Sequence, residues 1–394
     1  KMKKEIKKLL ERPEVQIVGY GKKITNGIIT DEDAIIVGVD KKLPAACLTK
    51  EEMIPKKIKV SKFKAKKTDV IEVEKIRAMS NNYNLGNISP DDRVKKWNTL
   101  QPGVSCGNFR ITAGTLGAIV YTYDIEENNN PPAEPPTPEP TPEPTPEPTP
   151  EPEPENKWWS FLEPLLYLIL KLLEILFYED DTLTYKYKQK QQLILRNKVI
   201  LRKPFGLSNN HVAADNYDNT GGQIGDEIWQ PGPYDTLKEK NVIGHLTSYA
   251  PIYSASSNTV DAALFSIKPG VVYSDEILDI GKLSSPFTYR ELKPGDTVWK
   301  SGRTTGLTKA RVVMLNASTK IYYTINGVDK QVLFDKQIVT EYMCEGGDSG
   351  SLVVINVNGK WLAVGLLFAG SCSTTVINPI DEVIKKLPIP ITFG

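Results

Sequence analysis

Short apolar runs separated by polar turns recur through most of this chain. Val15–Tyr20, Ala34–Val39, Val70–Val73 and Leu352–Ile355 are four examples. Runs of this length and composition, rich in β-branched residues, are typical of buried strands. The pattern therefore predicts strands in these segments.

The first eighty residues also contain two short helical patterns. Lys4–Leu10 is predicted to be a basic helix, and Leu48–Ile54 a second, short one. In the second, Thr49 stands at the N-cap position and Glu52 follows three residues later, which is a capping box. Together with the nearby strands, these helices predict a small α+β domain over residues 1–80.

Basic residues cluster between Lys56 and Lys67, where seven of twelve residues are lysines. Lysines that protect an edge strand from pairing with other chains explain such a cluster better than a surface for lipid or nucleic acid. The net charge of the whole chain is +1. No nucleic-acid partner is therefore expected.

Residues 131–155 consist almost entirely of Pro, Glu and Thr in repeats of Thr-Pro-Glu-Pro. Proline fixes φ and removes a backbone donor, so this segment can form neither helix nor sheet. We predict a semi-rigid, acidic, Pro-rich linker of the polyproline-II type.

A strongly apolar segment, 158–178, follows the linker and predicts an amphipathic helix. Its polar side chains, Glu163, Tyr167, Lys171, Glu174 and Tyr178, fall on one side at 100° per residue, and the remaining surface is apolar. Three charges argue against a simple transmembrane span. Such a helix must bury its apolar surface. The partner is a membrane surface, other copies in a homo-oligomer, or the protein's own body, and the sequence leaves these three open.

The richest chemical signal is the stretch Glu-Gly-Gly-Asp-Ser-Gly-Ser-Leu, residues 345–352. Its glycines permit a tight turn that exposes Ser349 and lets backbone N–H groups point at a substrate carbonyl. A serine nucleophile needs a base and an orienting carboxylate. His211, in Ser-Asn-Asn-His-Val-Ala-Ala, and Asp261, in Val-Asp-Ala-Ala-Leu, provide candidates in the order His, Asp, Ser.

These motifs resemble those of trypsin-like, chymotrypsin-fold serine peptidases of bacterial type, over residues ~100–394. Asp261 follows His211 by 50 residues (261 − 211), and Ser349 follows Asp261 by 88 (349 − 261), as the two-barrel fold requires. Ser301–Gly306 is similar to a Thr-Thr-Gly hairpin of streptogrisin-like proteases. The Gly-x-Ser-x-Gly elbow of α/β-hydrolases is absent.

The resemblance implies a mainly β fold, a chymotrypsin-like double six-stranded β-barrel. Gly114–Tyr121 would be its opening hairpin, and Asn378 and Pro379 would begin a closing C-terminal helix as N-cap and N1 residues. The expected organisation is a domain at 1–80, a connector at 81–110, a first barrel at 111–124 and 182–290, an insertion at 125–181, and a second barrel with the C-terminal helix at 291–394.

The resemblance also implies the roles of the site residues. Ser349 would attack a carbonyl, His211 would act as the base, and Asp261 would orient the imidazole. The N–H groups of Gly347 and Ser349 would form the oxyanion hole, and Asp348 would hold the turn. The expected activity is that of a serine endopeptidase acting on a protein or peptide substrate, with no cofactor and no metal.

By the same resemblance, Met343 and Cys344 would lie at the floor of the specificity pocket. Phe368, Ala369 and Gly370 would form a wall. The floor has no acidic residue, which argues against a preference for Lys or Arg. A small or medium apolar residue is the expected preference.

The resemblance leaves the state of two cysteines open. Cys344 and Cys372 flank the pocket region and form either a disulfide or two separate thiols. His245 lacks the surrounding motif and is expected to be a surface or strand residue.

Two functions remain open at this stage. The chain is either an active endopeptidase, tethered or assembled through its linker and helix, or a catalytically silent assembly protein on a protease scaffold. The N-terminal domain is either an inhibitory prosegment or a docking module. No signal peptide is visible, and the sequence leaves open whether the protein is secreted, attached to a cell surface or part of a virion.

Overall fold

The computed structural model describes residues 2–59, 65–78, 93–111, 113–126, 198–236, 240–286, 292–325 and 327–393. Two compact units are present: Lys1–Tyr123 with Leu201–Gly394, and Asp124–Ile200. The predicted linker 131–155 and helix 158–178 lie outside the described residues. Among the described helices, none is long and apolar enough to cross a membrane.

The N-terminal region is a helix followed by a small sheet, with the predicted helix and strands in place. Its elements are α1 (Met2–Leu10), β1 (Val15–Thr25), β2 (Ile28–Val39), β3 (Lys57–Lys59), β4 (Ala65–Glu72) and β5 (Arg77–Ala78). Strand β3 lies at the edge of its sheet, with Lys57 and Lys59 exposed and Ile58 buried. Lys57 and Lys59 of the predicted cluster thus stand on an edge strand.

The prediction of a helix at Leu48–Ile54 is wrong. The capping box itself forms, because the backbone N–H and the hydroxyl of Thr49 both donate to Glu52, at 2.8 and 2.9 Å. These residues nevertheless make a turn, preceded by a 3₁₀ turn at Ala45–Cys47. Pro55 disfavours the helical conformation of the residue before it, so the turn has too few residues to continue as a helix.

The middle of the chain folds into a half-barrel that carries the candidate histidine and aspartate. Its main sheet has the strand order β25-β9-β10-β16-β14-β13-β7-β8, in which β25 is the last strand of the chain, Thr392–Phe393. The elements are β6 (Thr99–Leu100), β7 (Ser105–Asn108), β8 (Gly114–Thr115), β9 (Ala118–Glu126), β10 (Lys198–Ser208), α2 (Asn210–Ala213), β11 (Asn216–Tyr217), β12 (Thr220–Gly221), β13 (Glu227–Trp229), β14 (Val242–Tyr249), β15 (Ser257–Asn258), β16 (Ala263–Ile267), β17 (Val272–Tyr273) and β18 (Leu283–Pro286).

The C-terminal part forms a closed six-stranded barrel in which the order is β19-β20-β21-β24-β23-β22, and β22 pairs back with β19. Its elements are β19 (Thr297–Gly302), β20 (Gly306–Ile325), β21 (Val328–Glu341), β22 (Leu352–Val357), β23 (Lys360–Gly370), β24 (Thr374–Pro379), α3 (Ile380–Lys386) and β25 (Thr392–Phe393). The architecture is mainly β and is that of a chymotrypsin-like double barrel, which confirms the predicted fold class.

The N-terminal sheet is continuous with this second barrel. Strand β1 pairs antiparallel with β20, with Ile17 opposite Thr319 and Tyr20 opposite Leu315. Ile17 is fully buried in an apolar cluster that also contains Phe334 of β21. The small domain predicted at 1–80 therefore shares a sheet and a core with the barrel, and the predicted domain boundaries themselves stay a prediction.

The C-terminal helix begins later than predicted. Strand β24 runs through Pro379, which is the N-cap residue of α3, and no side chain caps the helix. The side chain of Asn378 is buried and hydrogen-bonds Gln337 and the backbone of Asp261 instead. It is therefore unavailable as a cap.

The continuity of the sheet predicts that N-terminal core substitutions weaken the whole body. Ile17→Ala removes a fully buried side chain and should lower the free energy of unfolding by about 2–5 kcal/mol. Ile28→Ala is the matched control, because Ile28 of β2 is 66% exposed, and should change it by less than about 0.5 kcal/mol. Urea unfolding followed by far-UV circular dichroism measures both. A separate early transition confined to the N-terminal region would contradict the shared core.

Candidate active site

His211 and Asp261 form a buried pair joined at two points. Nδ1 of His211 lies 2.6 Å from Oδ2 of Asp261, and the backbone N–H of His211 donates to Oδ1 at 3.2 Å. Both residues are 0% exposed. An ionised carboxylate at Nδ1 favours the tautomer with its proton on that nitrogen and leaves Nε2 as a proton acceptor. Nε2 has no hydrogen-bond partner among the described residues.

Neighbouring amide side chains fix the backbone of Asp261. Nδ2 of Asn209, just before α2, donates to the carbonyl of Asp261 at 2.7 Å. The N–H of Asp261 donates to Oδ1 of Asn378 at 2.9 Å, and Nδ2 of Asn378 donates to Gln337 at 2.7 Å. The position of the carboxylate is thus set by the half-barrel and the closed barrel together.

Tyr323 of β20 is a site residue that the sequence did not reveal. Its hydroxyl donates to Oδ2 of Asp261 at 2.8 Å, and its ring lies edge-on to His211 with the centroids 6.1 Å apart. Burial, and then the charge of Asp261, hold the pKa of Tyr323 well above 10. A buried tyrosine usually needs a hydrogen-bond partner for its hydroxyl. That general rule does not identify Asp261 as the partner.

Ser349 lies on the predicted tight turn, and in the described structure no hydrogen bond joins its hydroxyl to Nε2 of His211. Gly347 and Gly350 on either side have φ of 95° and 93°, in the region that favours glycine. The hydroxyl of Ser349 donates to the carbonyl of Phe368 at 3.2 Å. The structure therefore brings His211 and Asp261 together, while the Ser349 hydroxyl is directed to β23.

The backbone N–H groups of Gly347 and Ser349 remain available. Within the described ranges, neither donates a hydrogen bond. The carbonyls of the same two residues are engaged, because the Thr115 hydroxyl donates to Gly347 at 2.9 Å and the Thr115 N–H donates to Ser349 at 2.7 Å. Thr115 of β8 thus binds the carbonyl oxygens of Gly347 and Ser349, and leaves their N–H groups free.

Asp348 has the structural role that was predicted for it. Its carboxylate accepts the N–H groups of Thr304, Thr305 and Glu345 at 2.8, 3.1 and 3.0 Å. Nζ of Lys300 lies 3.3 Å from Oδ2, and both side chains are 0% exposed. An ion pair buried this deeply is tolerated only when further hydrogen bonds satisfy both charges, as they do here.

A second buried ion pair joins the two barrels. Arg303, in the β19–β20 turn, contacts Asp235 through two nitrogens, one of them Nε at 3.0 Å. Asp235 also accepts the hydroxyl of Ser105 at 2.6 Å. The backbone N–H of Arg303 donates to the Thr115 hydroxyl at 3.0 Å, so the same turn also positions the residue that holds Ser349.

The predicted pocket residues are all buried, in two different clusters. Met343 and Cys344 belong to the interior of the closed barrel. Phe368 and Ala369 belong to the cluster shared with the N-terminal sheet, and Gly370 follows at the end of β23. Their role in substrate selection stays a prediction.

The disulfide between Cys344 and Cys372 is contradicted, because both thiols are free. Sγ of Cys344 faces inward and lies 3.2 Å from the hydroxyl of Thr375, and burial raises its pKa to about 12. Cys372 is exposed beside Glu74, whose carboxylate raises the pKa of the Cys372 thiol.

His245 lies exposed on β14, as expected for a residue outside the site. In the part of the chain that the structure describes, no group of three His, Cys, Asp or Glu residues could hold a metal ion.

Asp215 adds a second carboxyl group near His211. It follows α2 with φ of 48°, a left-handed conformation that Asp and Asn tolerate. Burial raises its pKa from 3.8 to about 6, and the neighbouring charges of His211 and Arg110 oppose that rise. Sequence reasoning missed this residue, because its context is that of an ordinary turn.

Comparison with known proteins gives weak structural neighbours. A glutamic acid specific serine protease that utilizes a histidine triad in substrate binding matches at 16% identity and a TM-score of 0.32, over 49% of this chain and 87% of its own. Cellulomonas bogoriensis chymotrypsin matches at 18% and 0.30, over 47% and 84%. Thermobifida fusca protease A matches at 16% and 0.31, over 49% and 86%.

No protein-family model matches the chain, and no curated protein matches its sequence. Structural similarity this weak assigns neither a family nor an activity to the protein.

The shared acceptor on Asp261 predicts how the site responds to Tyr323→Phe. This change leaves the buried carboxylate one donor short and should cost about 1–3 kcal/mol of stability. The Nδ1 proton of His211 then has Oδ2 to itself, so its hydrogen bond strengthens and its NMR resonance moves downfield. Tyr217→Phe is the matched control, since that ring lies 5.2 Å from Tyr323 and its hydroxyl faces Asp215 instead.

The measurement is proton NMR of imidazole N–H signals, and the assignment is simple because the chain has two histidines and His245 is exposed. An unmoved resonance in Tyr323→Phe, or an equal movement in Tyr217→Phe, would contradict the role of the hydroxyl.

Asp215 predicts a pH-dependent stability difference. Its pKa is raised on folding, so stability is greatest below about 4 and is lost as pH rises through about 6. Asp215→Asn removes this loss and should be more stable than the wild type at pH 8 by on the order of 2 kcal/mol, with little difference at pH 4. Asp218→Asn is the control: Asp218 has a similar φ of 51°, but hydrogen bonds from Ser254 lower its pKa. Asp218→Asn should be less stable than the wild type at pH 8. Urea unfolding at pH 4 and pH 8 measures the free energy of unfolding of each variant, and at pH 8 the two changes should have opposite signs.

Proposed function

We propose that the chain is a serine endopeptidase that cleaves peptide bonds through an acyl-enzyme intermediate. The observation that carries the proposal is the buried His211–Asp261 pair, at 2.6 Å, with Nε2 of the imidazole free. Ser349, on its glycine turn, provides the nucleophile that such a pair serves. Protein or peptide substrates follow from that chemistry.

In this mechanism the Ser349 hydroxyl turns from the Phe368 carbonyl towards Nε2 of His211. Nε2 removes the hydroxyl proton as Oγ attacks the carbonyl carbon, and the negative charge develops on the carbonyl oxygen. Nε2 then gives the proton to the leaving amine nitrogen, the C–N bond breaks, and an ester of Ser349 remains. Water, deprotonated by the same nitrogen, hydrolyses the ester.

The charge on the carbonyl oxygen would be received by the N–H groups of Gly347 and Ser349. Both lack other acceptors in the described structure, and Thr115 holds the adjoining carbonyls away. Each donor of this kind is worth about 10²–10³ in rate. The apolar surroundings of Met343 and Cys344 favour a small or medium apolar substrate residue.

A second candidate function is a catalytically silent protease-fold protein. The observation that favours it is the resting position of Ser349, which is 0% exposed and hydrogen-bonded to Phe368. In either case the linker 131–155 and the helix 158–178 are proposed, on sequence alone, to tether the protein to a membrane surface or to further copies of the chain.

The decisive experiment treats the full chain with a fluorophosphonate probe and maps the adduct by mass spectrometry. We expect modification of Ser349, with a rate lowered at least about a hundredfold in His211→Ala, because the general base is lost. His245→Ala is the matched control for losing a histidine and should leave the rate unchanged. Long incubation allows for the burial of Ser349. Labelling that does not depend on His211 would contradict the proposed pair, and no labelling in any variant would favour the silent protein.

A further inference from the structure

One edge of β23 runs past the candidate nucleophile. The backbone N–H of Gly350 donates to the carbonyl of Leu367 at 2.9 Å, and the next carbonyl, of Phe368, accepts the Ser349 hydroxyl. An extended peptide bound along the next residues of this edge would therefore meet Ser349 directly. Adding a strand to a free sheet edge is a common way of binding peptides.

That part of the edge is already occupied by the chain itself. Strand β5 pairs antiparallel with β23, with Ala78 opposite Ala369 and Arg77 opposite Gly370. Strand β24 pairs with the same two residues of β23 on the other side. The described structure thus leaves no unpaired edge on β23 beside Ser349.

The direction of β5 matters for what it imitates. Because the pairing is antiparallel, the step from Arg77 to Ala78 moves from Gly370 to Ala369, that is, towards Phe368 and Ser349. A peptide lying in this direction presents the carbonyl on its C-terminal side to the nucleophile. Strand β5 therefore has the polarity of a peptide approaching the site for attack.

The side chains of the segment 76–78 alternate as those of a bound strand do. Ile76 and Ala78 are buried, in the cluster that contains Phe368, while Arg77 faces outward and pairs with Asp329 at 2.6 Å. The carbonyl of Ile76 also accepts the N–H of Tyr322 from β20. Both neighbouring strands therefore hold the segment.

We infer that the segment 76–78 is an intramolecular peptide ligand of the β23 edge beside Ser349, and that this edge takes extended peptides of the pattern apolar, basic, small. The inference rests on the proposed function of Ser349. It adds that, in the resting state, the segment 76–78 occupies the edge beside that residue. With the edge filled, His211, Asp261 and Ser349 are all 0% exposed, as expected of a latent form. The N-terminal region is then an inhibitory segment.

Binding of a separate peptide tests occupancy without any need for catalysis. The full chain carries Ser349→Ala, and the probe is a fluorescein-labelled peptide with the sequence of residues 74–78, Glu-Lys-Ile-Arg-Ala. Ile76→Asp places a carboxylate in an apolar cluster, which strongly disfavours the docked strand. Lys75→Asp makes the same charged side chain at an exposed neighbouring position and is the control.

Fluorescence anisotropy should show binding to Ile76→Asp at least about tenfold tighter than to the parent and to Lys75→Asp. Arg77→Ala removes the ion pair of the docked segment without touching the core and leaves Asp329 free to pair with the arginine of the peptide, so it should strengthen binding a few-fold, about the effect of one surface ion pair. It keeps the test valid if Ile76→Asp fails to fold. Equal binding to all folded variants, or binding to none, would overturn the inference.

Labelling of Ser349 with the fluorophosphonate probe then separates the two proposals. In chains that retain Ser349, Ile76→Asp should be labelled at least about tenfold faster than Lys75→Asp. If the peptide binds as expected but Ser349 is never labelled, the edge is assigned correctly and the endopeptidase proposal fails. If Ser349 is labelled at the same rate in every variant and the peptide does not discriminate among them, the endopeptidase proposal stands and the inference about β5 fails.

Discussion

The position of Asp261 in the site depends on the hydrogen-bonded pairing of the long strand β20. It spans twenty residues and pairs with β19 and β21 in the closed barrel, with β1 of the N-terminal sheet, and with β5 near its end. That length carries Tyr323 out to the half-barrel, where its hydroxyl reaches Asp261. The alignment of the carboxylate with His211 thus depends on pairings made in a different part of the fold.

Two buried ion pairs hold the segments that β20 does not reach. Lys300 with Asp348 fixes the inside of the nucleophile turn, and Arg303 with Asp235 fixes the β19–β20 turn against the half-barrel. Removing charges from water is costly, so such pairs add little net stability, but each tolerates few geometries. We therefore expect the two pairs to select one arrangement of the turn around Ser349.

The fold and part of the site could be predicted because their signals are local. The motifs around His211, Asp261 and Ser349 are short segments of sequence. Their order along the chain, His, Asp, Ser, predicted that His211 pairs with Asp261. Tyr323 could not be found, since its partner lies 62 residues away in sequence and depends on how far a hairpin extends. For Asn378 the sequence signal was present but misleading. Its position is typical of an N-cap residue, yet its side-chain amide accepts the backbone N–H of Asp261 and donates to Gln337 instead of capping the helix.

Strand β5 contributes two residues of pairing, which would be negligible between separate molecules. It belongs, however, to the same chain as β23, and the short link 73–76 joins it to β4 of the continuous sheet. Such tethering corresponds to an effective concentration in the millimolar range or above. Even weak contacts then keep the edge filled. A separate peptide with the same intrinsic affinity for the edge must be present above this effective concentration to displace the segment. Breaking the connection between the segment and the rest of the chain would therefore change occupancy far more than weakening any single contact.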